Sequence, residues 1–61
     1  MLVESLTKNE YGKKVSINLD SVTYTGELTS VNKISEVNEK MVVTVDSYRL
    51  HLDKTTYVKF I

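Results

Sequence analysis

Apolar and polar residues alternate with a period of two through most of this chain, and few folds accept that pattern. Val15, Ile17 and Leu19 alternate with Ser16 and Asn18, and Val22, Tyr24 and Leu28 alternate with Thr23, Thr25 and Glu27. Met41, Val43 and Val45 fall on one face, and Tyr48, Leu50 and Leu52 alternate with Arg49, His51 and Asp53. Successive strand side chains point to opposite faces, so each run predicts a strand with one buried and one wet side. Valine, threonine, isoleucine and tyrosine recur in these runs and suit a pleated, half-buried surface.

Two Asp-Ser pairs punctuate the runs. Asp20-Ser21 separates Leu19 from Val22, and Asp46-Ser47 separates Val45 from Tyr48. Both residue types bond to nearby backbone amides in tight turns, so both pairs are read as hairpin turns. Gly26 interrupts the second run, and an internal strand glycine marks a bend, a bulge or a close backbone approach. A bend there would let one long strand serve both halves of a barrel. A hairpin connection is expected around Ser35 to Glu39, with Val31 and Ile34 near the strand end. The last strand, about Tyr57 to Ile61, follows a turn at Asp53-Lys54-Thr55. At the N-terminus Leu2, Val3 and Leu6 have helical spacing, and Gly12 is a stop signal. A short helix is expected there, with a short additional strand as the competing reading. The expected fold is mainly β: a five-stranded, bent antiparallel sheet or barrel with a short N-terminal helix, one domain spanning residues 1–61.

This order of elements resembles the Sm-like fold of Sm, Lsm and Hfq proteins, or a related SH3-like small barrel. The residues that carry the resemblance are Leu2 and Leu6 before Gly12-Lys13-Lys14-Val15, then Ile17 and Leu19, Tyr24-Thr25-Gly26-Glu27-Leu28, and Val58-Lys59-Phe60-Ile61. They are core and bend positions. The family's RNA-binding motifs are not matched. Asn32 stands where an Asp is expected, Ser35-Glu36 replace a hydrophobic-Asn pair, and Asp53-Lys54-Thr55-Thr56 replaces an Arg-Gly signature. The resemblance implies a barrel, and it implies strand-edge self-association into rings.

Size and composition narrow the chemistry. A chain of 61 residues buries only about 60% of the surface it exposes when unfolded. It contains no cysteine and one histidine, His51, so neither a disulfide nor a structural zinc site is expected to reinforce it. Eight basic and eight acidic residues cancel, which does not mark a nucleic-acid binder. No apolar run approaches the roughly 20 residues that span a bilayer, and the first residues do not read as a secretory signal. A cytoplasmic location without membrane attachment is expected.

No nucleophile and base are spaced for catalysis, so a binding module rather than an enzyme is expected, with no cofactor and no metal. Tyr24, Tyr48 and Tyr57, with Lys33, Arg49 and His51, have the aromatic and cationic character that holds single-stranded nucleic acid. The alternation puts Tyr24 and Tyr48 on the core face and leaves Tyr57 for exposure. Asn32, Lys33, Arg49, His51 and Tyr57 are the candidate binding residues. Two function classes follow. One is a small intracellular binding or adaptor module, of the kind found as bacterial or phage accessory proteins, that meets a protein partner or itself through strand edges. The other is an Sm-like protein that binds single-stranded RNA.

Overall fold

The strands form where the alternation places them. A computed structural model describes the backbone of residues 1–35 and 40–61, and the side chains of 1–32 and 40–61. Five strands, β1 (Lys14–Leu19), β2 (Val22–Ser35), β3 (Lys40–Val45), β4 (Tyr48–Asp53) and β5 (Val58–Phe60), form one antiparallel sheet. Their order is β4-β3-β2-β1-β5. Both Asp-Ser pairs are two-residue hairpin turns, closing the Leu19–Val22 and Val45–Tyr48 pairs. Asp20 and Ser21 both take positive φ, as does Asp46, the backbone sign that matches a tight turn to the twist of its strands. The expected connection around Ser35 to Glu39 lies outside the described residues beyond Ser35, which ends β2.

β2 is the strand shared by the two halves of the sheet. From Val22 to Glu27 it pairs with β1, and from Leu28 onward with β3. The changeover sits beside Gly26. The carboxylate of Asp46 occupies the space where a Cβ on Gly26 would lie. Its Oδ1 accepts from the Glu27 N–H at 2.8 Å, and the Asp46 N–H donates to the Glu27 carbonyl at 2.8 Å. A Cβ at residue 26 would push this carboxylate off the Glu27 N–H, so the close approach favours glycine. The bulge falls just beyond, where the β2–β3 register shifts between Leu28 and Ser30.

The core lies on one face of the sheet. Val15, Ile17, Leu28, Val43, Val45, Leu52 and Val58 are almost completely buried, together with Val3 from the N-terminal segment. Leu52 and Val58 come from opposite ends of the strand order and join one cluster, so the sheet curls around its core. It does not close. Among the described residues β4 has β3 as its only strand neighbour, and β5 has β1 as its only strand neighbour. The expected barrel, and with it the Sm-like or SH3-like assignment, is corrected to an open five-stranded sheet.

The outer edge of β5 is taken by the N-terminal segment instead of by β4. The Val58 N–H donates to the Met1 carbonyl at 2.8 Å, and the Val3 N–H to the Thr56 carbonyl at 2.8 Å. The Met1 nitrogen returns a 3.3 Å bond to the Val58 carbonyl, and Leu2 bridges Tyr57. The expected helix is two three-residue 3₁₀ turns, Val3–Ser5 and Lys8–Glu10. Leu2 and Leu6 are extended and bracket the first turn. The second carries a capping box in which Thr7 and Glu10 cap each other's backbone. Gly12 then takes φ 92°, and the chain enters β1. Among the described residues no helix is long and apolar enough to cross a membrane.

Tyr48 departs from the core-facing position that its alternation predicts. It is 54% exposed and meets Tyr24 edge to face, ring centroids 5.4 Å apart. Val22 is likewise exposed. Both residues flank hairpin turns at the end of the sheet, past the reach of the core side chains, so the core face stays exposed there.

Candidate functional site

The outward edge of β4 follows from the geometry of its hairpin. In an antiparallel ladder, pairs that exchange backbone bonds alternate with pairs that do not. The pair that closes a two-residue turn, here Val45–Tyr48, is a bonded one. Tyr48, Leu50 and Leu52 therefore direct their N–H and C=O groups toward β3, and Arg49, His51 and Asp53 direct theirs away. Two observed bonds fit this phase. The Asp46 N–H, one residue past Val45, points to Glu27 in β2, and the Asp53 carbonyl accepts from the Thr56 N–H at 3.0 Å. Among the described residues β4 has no strand beyond it, so its outward amides form a bare edge.

The side chains of these same residues stand on the face opposite the core. Asn32 pairs with Val42, and Val42 with His51, making one row across three strands. Ser30, Thr44 and Arg49 make the next row. Together the six line an open concavity of about 410 Å³. Val42, at 9% exposure, is its apolar floor. The Ser30 and Thr44 hydroxyls bond at 2.9 Å, which fixes the wall on the β2 side. Arg49 and His51 are exposed at the rim. At the end of β4, Asp53 holds Lys40 of β3 at 2.8 Å, with both side chains substantially exposed.

Three of the expected binding residues, Asn32, Arg49 and His51, thus share one concavity. Tyr57 does not join them. It is 72% exposed and lines a separate concavity of about 630 Å³ with Met1, Ser16, Asn18, Thr23 and Lys59 among others. The two concavities have no lining residue in common. Lys33 lies in β2 opposite Met41, and its side chain is outside the described part. The tyrosines and cations expected to form one stacking surface are therefore divided: Tyr24 and Tyr48 pair with each other, and Tyr57 sits elsewhere.

Ser30, Val42 and Thr44 carry no sequence signal of their own. Ser30 faces Thr44 because the bulge between Leu28 and Ser30 shifts the β2–β3 register, which neither segment encodes, whereas Val42 and Thr44 meet His51 and Arg49 through the unshifted β3–β4 hairpin. Tyr11 was also silent in sequence, yet its hydroxyl accepts from the Val31 N–H at 3.0 Å and ties the N-terminal segment to β2. Lys13 lies over the Phe60 ring, 5.4 Å from its centroid. The chain matches no family model, no curated protein and no solved structure.

Proposed function

We propose that this protein is a binding or adaptor module that receives an extended segment of a protein partner as an added strand along β4, without catalysing a reaction. The observation that carries this reading is the bare β4 edge, with the outward amides of Arg49, His51 and Asp53 beside the concavity at Asn32, Val42 and His51. An extended peptide on such an edge gains affinity from backbone bonds and specificity from its alternate side chains. Those side chains would lie against the Arg49 and His51 face. The reading keeps the cytoplasmic location suggested by a chain without cysteine.

A displayed library of random peptides, panned in parallel against wild type and His51→Pro, tests it. Proline at position 51 removes an outward N–H and leaves the β3–β4 ladder its bonds. Peptides enriched on wild type should be lost on His51→Pro. They should also shift the wild-type amide resonances of Arg49, His51 and Asp53. Binders that His51→Pro retains, or binding of single-stranded RNA that moves resonances around Tyr57 instead, would overturn the reading.

A further inference from the structure

The β4 edge carries a charge pattern that is complementary to itself when reversed. Arg49 and Asp53 stand two residues either side of His51, and all three side chains share one face. The same three residues direct their backbone bonding groups outward. Natural edge strands are blunted by short length, by proline, by bulges or by charged side chains. β4 contains no proline and no bulge, and its charges are of opposite sign.

From this pattern we infer that the occupant of the β4 edge is a second copy of this chain, docked antiparallel about a two-fold axis at His51. This deepens the strand-docking reading and rests on it. The register is set in two steps. Outward-bonding residues must face outward-bonding residues, so each of Arg49, His51 and Asp53 can oppose only a member of the same set or a residue an even number of positions further along. That phase leaves two registers that overlap most of β4. In one, Arg49 faces the partner's His51, and Asp53 faces the partner's Ser47. In the other, His51 faces the partner's His51, and Arg49 faces the partner's Asp53 at both ends. Charge complementarity selects the second, because opposite charges directly across an antiparallel pair attract and symmetry repeats the gain.

This register also fits the groups that remain free. The His51 pair exchanges both backbone bonds, and each Asp53 N–H reaches the partner's Arg49 carbonyl. The Asp53 carbonyl already accepts from Thr56, and its second lone pair faces the partner's Arg49 N–H. Each Asp53 carboxylate, held by Lys40 on its own sheet, gains the partner's Arg49 on the other side. The two-fold axis stands perpendicular to the sheet, so the concavity beside Asn32 and His51 continues into its mate. At the other end of the sheet Met1–Val3 already pairs with Thr56–Val58 along the β5 edge.

Sedimentation equilibrium of the full chain, from about 10 μM to 1 mM, tests the inference by mass action. Wild type should move from monomer toward dimer across that range. Arg49→Asp and Asp53→Arg should each weaken the dimer by about tenfold or more, since each sets two pairs of like charges face to face. The double variant R49D/D53R should recover most of that loss, which a merely destabilised monomer would not do. A chain that stays monomeric throughout overturns the inference, and so does a double variant as weak as the singles. A monomer that still loses its peptides on His51→Pro removes self-pairing and leaves strand docking standing. A dimer indifferent to His51→Pro removes β4 pairing as its cause.

Discussion

Asp46 does two separate jobs. It turns the β3–β4 hairpin with φ 52°, and it holds the crossing point of β2 through both backbone groups of Glu27. Gly26 makes room for it, so Gly26→Ala forces a Cβ into the carboxylate. The expected loss is about 1 kcal/mol, the net worth of the Asp46–Glu27 hydrogen bond that the displaced carboxylate gives up. In an Asp46→Gly background the obstruction is gone, and the same substitution should cost clearly less. A double-mutant cycle by urea denaturation reads that coupling. At the other hairpin, Ser21 holds φ 69°, a region unfavourable to any residue with a Cβ. Ser21→Gly should therefore raise stability by about 0.5–1 kcal/mol in the same assay, the relieved strain exceeding the added freedom of the unfolded chain. The sequence marked Gly26 as special and Asp46 as a turn residue, because each signal is local. It did not link them, since their contact depends on how β2 and β3 pair across the sheet.

At the scale of elements, the strands were readable because each has one buried face, and period two reports that directly. The N-terminal segment was not, because Leu2, Val3 and Leu6 fit a helix as well as they fit what forms. Its backbone bonds run to Thr56 and Val58, partners more than fifty residues away that no local pattern encodes. Alternation also gives the side a residue faces without saying whether anything covers that side. Tyr48 shows the difference: its register matches Leu50 and Leu52, yet it lies in the open against Tyr24. The 3₁₀ segment is part of the core, since Val3 is fully buried and Leu6 nearly so. Leu6→Ala should therefore lower global stability by about 2–4 kcal/mol, as for other buried leucines. The denaturant midpoint should fall with little change in slope, the mark of one cooperative unit rather than a frayed end. For a domain with so small a core, that loss is a large part of the total.

For the whole molecule, the two ends of the sheet differ in kind. Chain from the N-terminus covers the β5 edge, whereas β4 ends the sheet with its bonding groups outward. The candidate site was legible in part for the same reason: Arg49 and His51 could be placed on the wet face from alternation alone. Their position on an uncovered edge depends on strand order, which alternation does not specify. If a second copy covers that edge, folding and pairing are linked, because the dimer binds the folded state and not the unfolded one. The melting temperature of wild type should then rise with concentration, by roughly 3–5 °C per tenfold once the dimer dominates, since half of the 1.4 kcal/mol per tenfold falls to each protomer of a domain this small. Arg49→Asp should flatten that dependence, because its monomer has no complementary edge to offer. Salt gives the opposing lever. The Arg49–Asp53 pairs lie exposed at both ends of β4, and screening shortens from about 10 Å at 0.1 M to 3 Å at 1 M. Raising salt should therefore weaken wild-type pairing and leave the melting temperature of Arg49→Asp close to constant. A dimer that tightened with salt would be held by apolar surface such as Met1, Tyr57 and Ile61, which are exposed at the far end of the sheet, and not by the charges on β4.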